Sequence, residues 1–167
     1  MDDQLDEGTV SWAELLAEAT ARLEQSGSES AEIDARRIVE EASGAEPSEF
    51  NGVLASPATV RGVASFDKMV IRREQVEPLQ YVVGRWGFRH LDLMVDKRVL
   101  IPRPETEEVA GLAIDEIKAR SIERELLVAD LGTGSGAIGL SIASECPSTR
   151  VLATDVSAEA LQVARAN

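Results

Sequence analysis

The chain is predicted to be α+β: an α-helical bundle, then a β-hairpin connector, then the opening part of a parallel α/β sheet. Three observations carry this. Apolar residues recur at helical spacing through residues 10–77. Apolar and polar positions alternate over Leu91-Asp-Leu-Met-Val95, as in a half-buried strand. From Leu127 to Ala143 an apolar run breaks at a glycine cluster and resumes as a helical pattern, which reads as strand, tight turn and helix.

Ser11-Trp-Ala-Glu14 has the spacing of a capping box. The helix it opens carries Trp12, Leu15, Leu16, Ala19 and Leu23 on one stripe and ends at Ser26-Gly27. Ser30 is expected to cap a second helix with Ile33, Ile38, Val39 and Ala42 inward, stopped at Gly44. A short third helix follows Pro47 and includes Phe50, Val53 and Leu54. Ser56-Pro57 reads as the N-cap and first residue of a fourth, with Val60, Val63, Phe66, Met69 and Val70 inward. Trp12, Phe50 and Phe66 are core residues in this reading. The helical domain covers residues 1–77.

Residues 78–99 form a connector containing a hairpin over residues 85–95, with its turn near His90. His90 is the only histidine and has no Cys or His cluster around it, so it reads as a turn residue and no metal site is expected. In Leu100-Ile-Pro-Arg-Pro-Glu-Thr-Glu107 two prolines around Arg103 stiffen an arm, and Pro104 can open a helix running to Arg120. The arm is either a plain linker or a wall of a binding pocket presenting Arg103, Pro104, Glu105 and Thr106. Composition leaves the two readings level.

Gly132, Gly134 and Gly136 let backbone approach a ligand closely, and the following helix aims N–H groups into the turn. The spacing Gly132-x-Gly134-x-x-Ala137 satisfies a dinucleotide fingerprint. Three features oppose a pyrophosphate. Asp130 lies two residues before the first glycine, no Lys or Arg lies between Leu126 and Pro147, and the third glycine comes early. A cationic donor without phosphate, S-adenosylmethionine, suits this charge better. Asp130, Gly132, Thr133, Gly134, Ser135 and Gly136 are the candidate cofactor-binding residues. Asp155 joins them at the tip of a second apolar strand, where one carboxylate can accept both ribose hydroxyls. Ser157 is the better-placed cap for the helix that follows.

With 167 residues, 44% hydrophobic and 28% charged, the composition is that of a globular protein of one or two domains. No apolar run approaches membrane-spanning length and nothing resembles a signal peptide, so no membrane partner and a cytoplasmic place are expected. The single Cys146 cannot form an internal disulfide. Of the net charge of −13, residues 1–50 carry 14 acids against 3 bases, so direct nucleic-acid binding is not expected there.

The arm Leu100–Glu107, the run Asp130-Leu-Gly-Thr-Gly-Ser-Gly136, Asp155, the Pro78-Leu-Gln-Tyr81 connector with Gly84, and the Phe88 hairpin together resemble the release-factor glutamine methyltransferases, the HemK/PrmC family. The resemblance implies a Rossmann-like methyltransferase sheet beginning within residues 100–167, behind a helical substrate-recognition domain. It further implies S-adenosylmethionine as donor and N5-methylation of the glutamine in the Gly-Gly-Gln motif of peptide chain release factors. Carried over, Asp130 would lie near the donor's amino group, Asp155 would hold the ribose, and Arg103, Glu105 and Thr106 would shape the wall between donor and substrate.

One departure is large. The family's Asn-Pro-Pro-Tyr motif, which grips the reacting amide, ends its fourth strand, and this chain stops at Asn167 after two core strands. No catalytic residue is therefore expected in this chain. It reads as part of a longer enzyme, with one sheet face bare, binding S-adenosylmethionine weakly or not at all and not turning over. A methyltransferase acting on another protein, nucleic acid or small molecule is the first alternative, and a non-catalytic helical interaction module the second.

Overall fold

The structure, a computed structural model, describes residues 9–120 and 126–167. The chain divides into two compact units, residues 1–83 and 84–167.

The first unit is helical: α1 (Trp12–Gln25), α2 (Ala31–Ser43), α3 (Phe50–Val53), α4 (Val60–Glu74) and α5 (Leu79–Val83). The capping box forms. Ser11 Oγ accepts the Glu14 N–H, and Glu14 Oε2 accepts the Ser11 N–H at 2.7 Å. Trp12, Leu15, Ala19 and Leu23 of α1 bury against Ile38, Val39, Phe50, Phe66, Met69 and Val70. Ile33 and Val60, expected inward, are 65% and 90% exposed. The inward positions of their helices go instead to small residues where helices approach closely: Ala31 and Ala35 on α2, and Gly62 on α4. A Cβ on Gly62 would stand 2.7 Å from Trp12 Cη2.

Two expected caps differ. Thr59, not Ser56, caps α4, its Oγ1 accepting the Gly62 N–H at 3.0 Å. Residues 56–58 are held extended beside the start of α1. Ala58 N–H donates to Val10 C=O at 2.8 Å, Trp12 N–H donates to Ser56 C=O at 3.2 Å, and Ser11 and Pro57 form a bridge. Ser30 stands at the N-cap position of α2 without capping it. Its hydroxyl donates to Asp34 Oδ2 instead.

The second unit holds an antiparallel hairpin, β1 (Arg85–Phe88) and β2 (Leu91–Met94), followed by α6 (Pro104–Arg120), β3 (Leu126–Leu131), α7 (Ala137–Glu145), β4 (Thr149–Thr154) and α8 (Ala158–Ala166). The segment read as a single connector is thus shared, with Leu79–Val83 helical in the first unit and the hairpin in the second. Strands β3 and β4 run parallel, pairing Val128 with Val151 and Leu131 with Thr154. Leu126, Val128 and Val151 pack on Ile114, Ile117, Ile142 and Cys146. In α7 the position packed on the sheet is Ile142, while Ala143 is exposed. On the opposite face Leu127 and Leu131 are 70% and 78% exposed. Both strand faces are apolar, the pattern of a parallel strand covered on two sides, and helices of this unit cover one. No helix among the described residues is long and apolar enough to cross a membrane.

Thr149 Oγ1, at the start of β4, is buried without a hydrogen-bond partner. Thr149→Val keeps the shape and removes that unmet polar group, so it is expected to stabilise the second unit by about 1 kcal/mol, read as a higher thermal midpoint.

Candidate cofactor-binding site

The turn after β3 folds over the end of β4. Gly132 and Thr133 N–H groups both donate to Thr154 C=O, at 2.8 and 2.9 Å, and Gly136 N–H donates to Thr133 C=O at 2.8 Å. This path needs left-handed backbone at Gly132, Gly134 and Gly136, whose φ values are 79°, 56° and 89°, a region costly for residues with a Cβ. The space above Gly132 and Gly134 is open, with nothing within 4 Å of where a Cβ would stand.

Asp130 lies under the turn. Its Oδ2 accepts Thr133 Oγ1–H at 2.6 Å and the Gly139 N–H at 3.0 Å. The first turn of α7 therefore already carries an anion, supplied by β3. The N–H groups expected to point into the turn are in part committed to this carboxylate. Gly139, inside α7, is what admits it: a Cβ there would meet Asp130 Oδ2 at 2.9 Å.

Asp155 follows β4. Its Oδ2 accepts the Gly134 N–H and its Oδ1 the Ser157 N–H, both at 2.9 Å. Ser157 caps α8, its Oγ accepting the Ala160 N–H. The backbone N–H of Ser157, then that of Gly134, hold the Asp155 carboxyl below the usual aspartate range. A depressed native pKa contributes stability that is present above the unfolded value of about 3.9 and is lost as pH falls through the native value. Acid titration is expected to shift and deprotect the Gly134 and Ser157 amides below about pH 4. Asp155→Asn is expected to abolish that transition in amide NMR spectra.

The site residues read from the sequence fall into two groups. Asp130, Thr133, Gly134, Ser135, Gly136 and Asp155 meet around one turn, with Gly132 at its start. Arg103, Pro104 and Glu105 are exposed and Thr106 half-buried at the head of α6, where Thr106 N–H donates to Arg103 C=O at 2.9 Å. Among the described residues no hydrogen bond joins them to the turn.

Several contributors carry little sequence signal. Arg89 has φ 52° in the hairpin turn. Its guanidinium grips both Glu145 oxygens, at 2.7 and 3.0 Å, and donates to Glu107 C=O, which seats the hairpin on α6 and α7. Asn167 hydrogen-bonds Met94 and Ser135. Gly139 did leave a signal, as a glycine inside a helical pattern.

The residues present fit a hydroxyl-bearing cation. The turn is open above Gly132 and Gly134, carries carboxylates beneath and beside it, and has no Lys or Arg between Leu126 and Pro147. The Gly134 and Ser157 N–H groups fall on different Asp155 oxygens, and a carboxylate has about four acceptor sites, so acceptor capacity remains. Val156, next in the chain, is fully exposed and apolar.

Known proteins resemble both parts of the chain. Residues 14–84 match the PrmC N-terminal domain and residues 111–167 the methyltransferase small domain. The chain is 41% identical over 152 residues to a release factor glutamine methyltransferase of Streptomyces coelicolor, covering 91% of this chain and 52% of that protein. It is 38% identical to the protein of that name in Bifidobacterium longum (92% and 53% covered) and 40% identical to that of Vibrio cholerae (91% and 52%). The chain spans about half the length of these curated relatives. With a PrmC N-terminal domain match followed by a methyltransferase small domain match, and about 40% identity along nine-tenths of its length, the chain is similar to about half of these release factor glutamine methyltransferases.

Proposed function

We propose that the chain supplies the substrate-recognition helices and the donor-binding turn of an S-adenosylmethionine-dependent enzyme. That enzyme methylates the glutamine side-chain amide in the Gly-Gly-Gln motif of peptide chain release factors, in the cytoplasm. The observation that carries this reading is Asp130 occupying the N-terminus of α7, which leaves a phosphate no welcome at the turn. When bound, the donor supplies an electrophilic methyl group. Asp155 holds the ribose hydroxyls through its remaining lone pairs, Asp130 attracts the donor's ammonium, and Val156 offers an apolar surface to the purine. Arg103, Glu105 and Thr106 shape the wall toward the substrate, and the helices of residues 1–77 grip the release factor.

An amide nitrogen is a poor nucleophile until both its N–H bonds are held, and none of the site residues here is placed to do that. The chain is therefore expected not to turn over by itself and to bind the donor more weakly than micromolar. Calorimetry of the 167-residue chain with S-adenosylmethionine and with NAD⁺ tests the site, and labelled-methyl transfer to a release factor tests the chemistry. Tighter binding of NAD⁺ would overturn the donor assignment. Methyl transfer by this chain would overturn the expected inactivity.

A further inference from the structure

We propose that Asn167 is a positioning residue for the glycine turn, fastening it to the hairpin. Asn167 Oδ1 accepts the Met94 N–H at 2.7 Å, and Nδ2 donates to the Met94 C=O at 3.0 Å and the Ser135 C=O at 2.8 Å. Both amide hydrogens thus end on backbone carbonyls, one on β2 and one inside the turn. Ser135 is buried, so its carbonyl would otherwise need another donor.

The placement gives α8 a grip at each end. Asp155, just before the helix, holds the Gly134 N–H. Asn167, whose own N–H closes the helix on Val163 C=O at 3.0 Å, holds the carbonyl of the very next residue. One rigid helix therefore clamps two adjacent residues of the turn, and Asn167 adds the edge of β2 to the same clamp. Only a primary amide of this length suits the task. It must accept from one N–H and donate to two carbonyls, whereas an aspartate has no hydrogen to give and a serine has one. The shape of the turn proposed above to take the donor thereby depends on a docked hairpin. The order of that turn is readable without ligand, so the two readings can fail separately.

Asn167→Asp separates the two halves of the clamp. It keeps an acceptor for the Met94 N–H but sets a carboxylate against the Ser135 and Met94 carbonyls. Residue-resolved amide exchange on the 167-residue chain is expected to show Gly134 and Gly136 exchanging about tenfold faster. Met94 should stay protected, and the β3 and β4 amides should stay unchanged. Asn167→Ala, the second variant, should release Met94 together with the turn and still spare the strands. Exchange that rises evenly through β3, α7 and β4 would make Asn167 a general prop of the unit and overturn the proposal. So would Gly134 and Gly136 rates left at the parent's value in both variants. NAD⁺ filling a turn whose amides respond as expected would uphold this proposal and sink the donor assignment alone.

Discussion

Asp34→Ala is expected to destabilise the helical unit by about 3–5 kcal/mol, the cost of stripping the partner from a buried charge. The Asp34 side chain is 5% exposed and its Oδ2 accepts Arg73 Nε–H at 2.8 Å, where the Arg73 side chain is 16% exposed. The same oxygen accepts the hydroxyls of Ser28 and Ser30, each at 3.0 Å. Alanine would take the shared acceptor from two hydroxyls and from the Arg73 guanidinium, which keeps Glu77 C=O at 3.3 Å. Against an ordinary domain stability of about 5–15 kcal/mol, that loss is large. Asp34→Asn keeps an oxygen in place and should fall between. Replacing Asp34 and Arg73 together by apolar residues of similar volume should recover much of the loss, because the cost lies in the orphaned partner. Chemical denaturation followed by circular dichroism reads all three. A loss below about 1 kcal/mol for Asp34→Ala would show that the pair is no more than a surface contact.

Asp130→Ala is expected to cost the second unit about 2–3 kcal/mol, since the carboxylate serves both Thr133 and the first turn of α7. It should also loosen the turn, which then loses the contact that holds Thr133. Gly139→Ala supplies an independent check. Glycine to alanine inside a helix ordinarily gains about 1 kcal/mol. Here the added Cβ would press on Asp130 Oδ2 at 2.9 Å and on Val151 Cγ1 at 3.3 Å, so the change should destabilise. In the Asp130→Ala background the carboxylate clash is gone and the penalty should shrink. Thermal unfolding of the two single variants and the double variant measures this coupling. Additive effects would mean that the carboxylate and Gly139 do not share the contact described.

Much of the architecture was legible from short-range pattern. The α1 stripe, the capping box at Ser11, the stop at Gly44, the hairpin and the strand–glycine–helix run all lie where their residues announce them. Periodicity of burial and the backbone demands of glycine are settled within a few residues of chain. The misplacements have a common cause. Ser56-Pro57 has the composition of a helix start, but pairing with Val10 and Trp12 draws it into an extended path and leaves the cap to Thr59. Ser30 has the right type and position for a cap, but the buried Asp34 claims its hydroxyl. Val60 and Ile33 fit a helical stripe, yet the stripes that bury are those on which Gly62, Ala31 and Ala35 admit a neighbouring helix.

The candidate site divides along the same line. That a glycine turn stands between two acids, with no cation nearby, could be read straight from the order of residues, because charge and backbone permissiveness belong to residue type. How those acids are employed could not. Asp130 and Gly139 lie 9 residues apart, Gly134 and Asp155 lie 21 apart, and Met94 and Asn167 lie 73 apart. Each pairing joins part-buried polar groups from different segments, and only the folded chain brings those segments together.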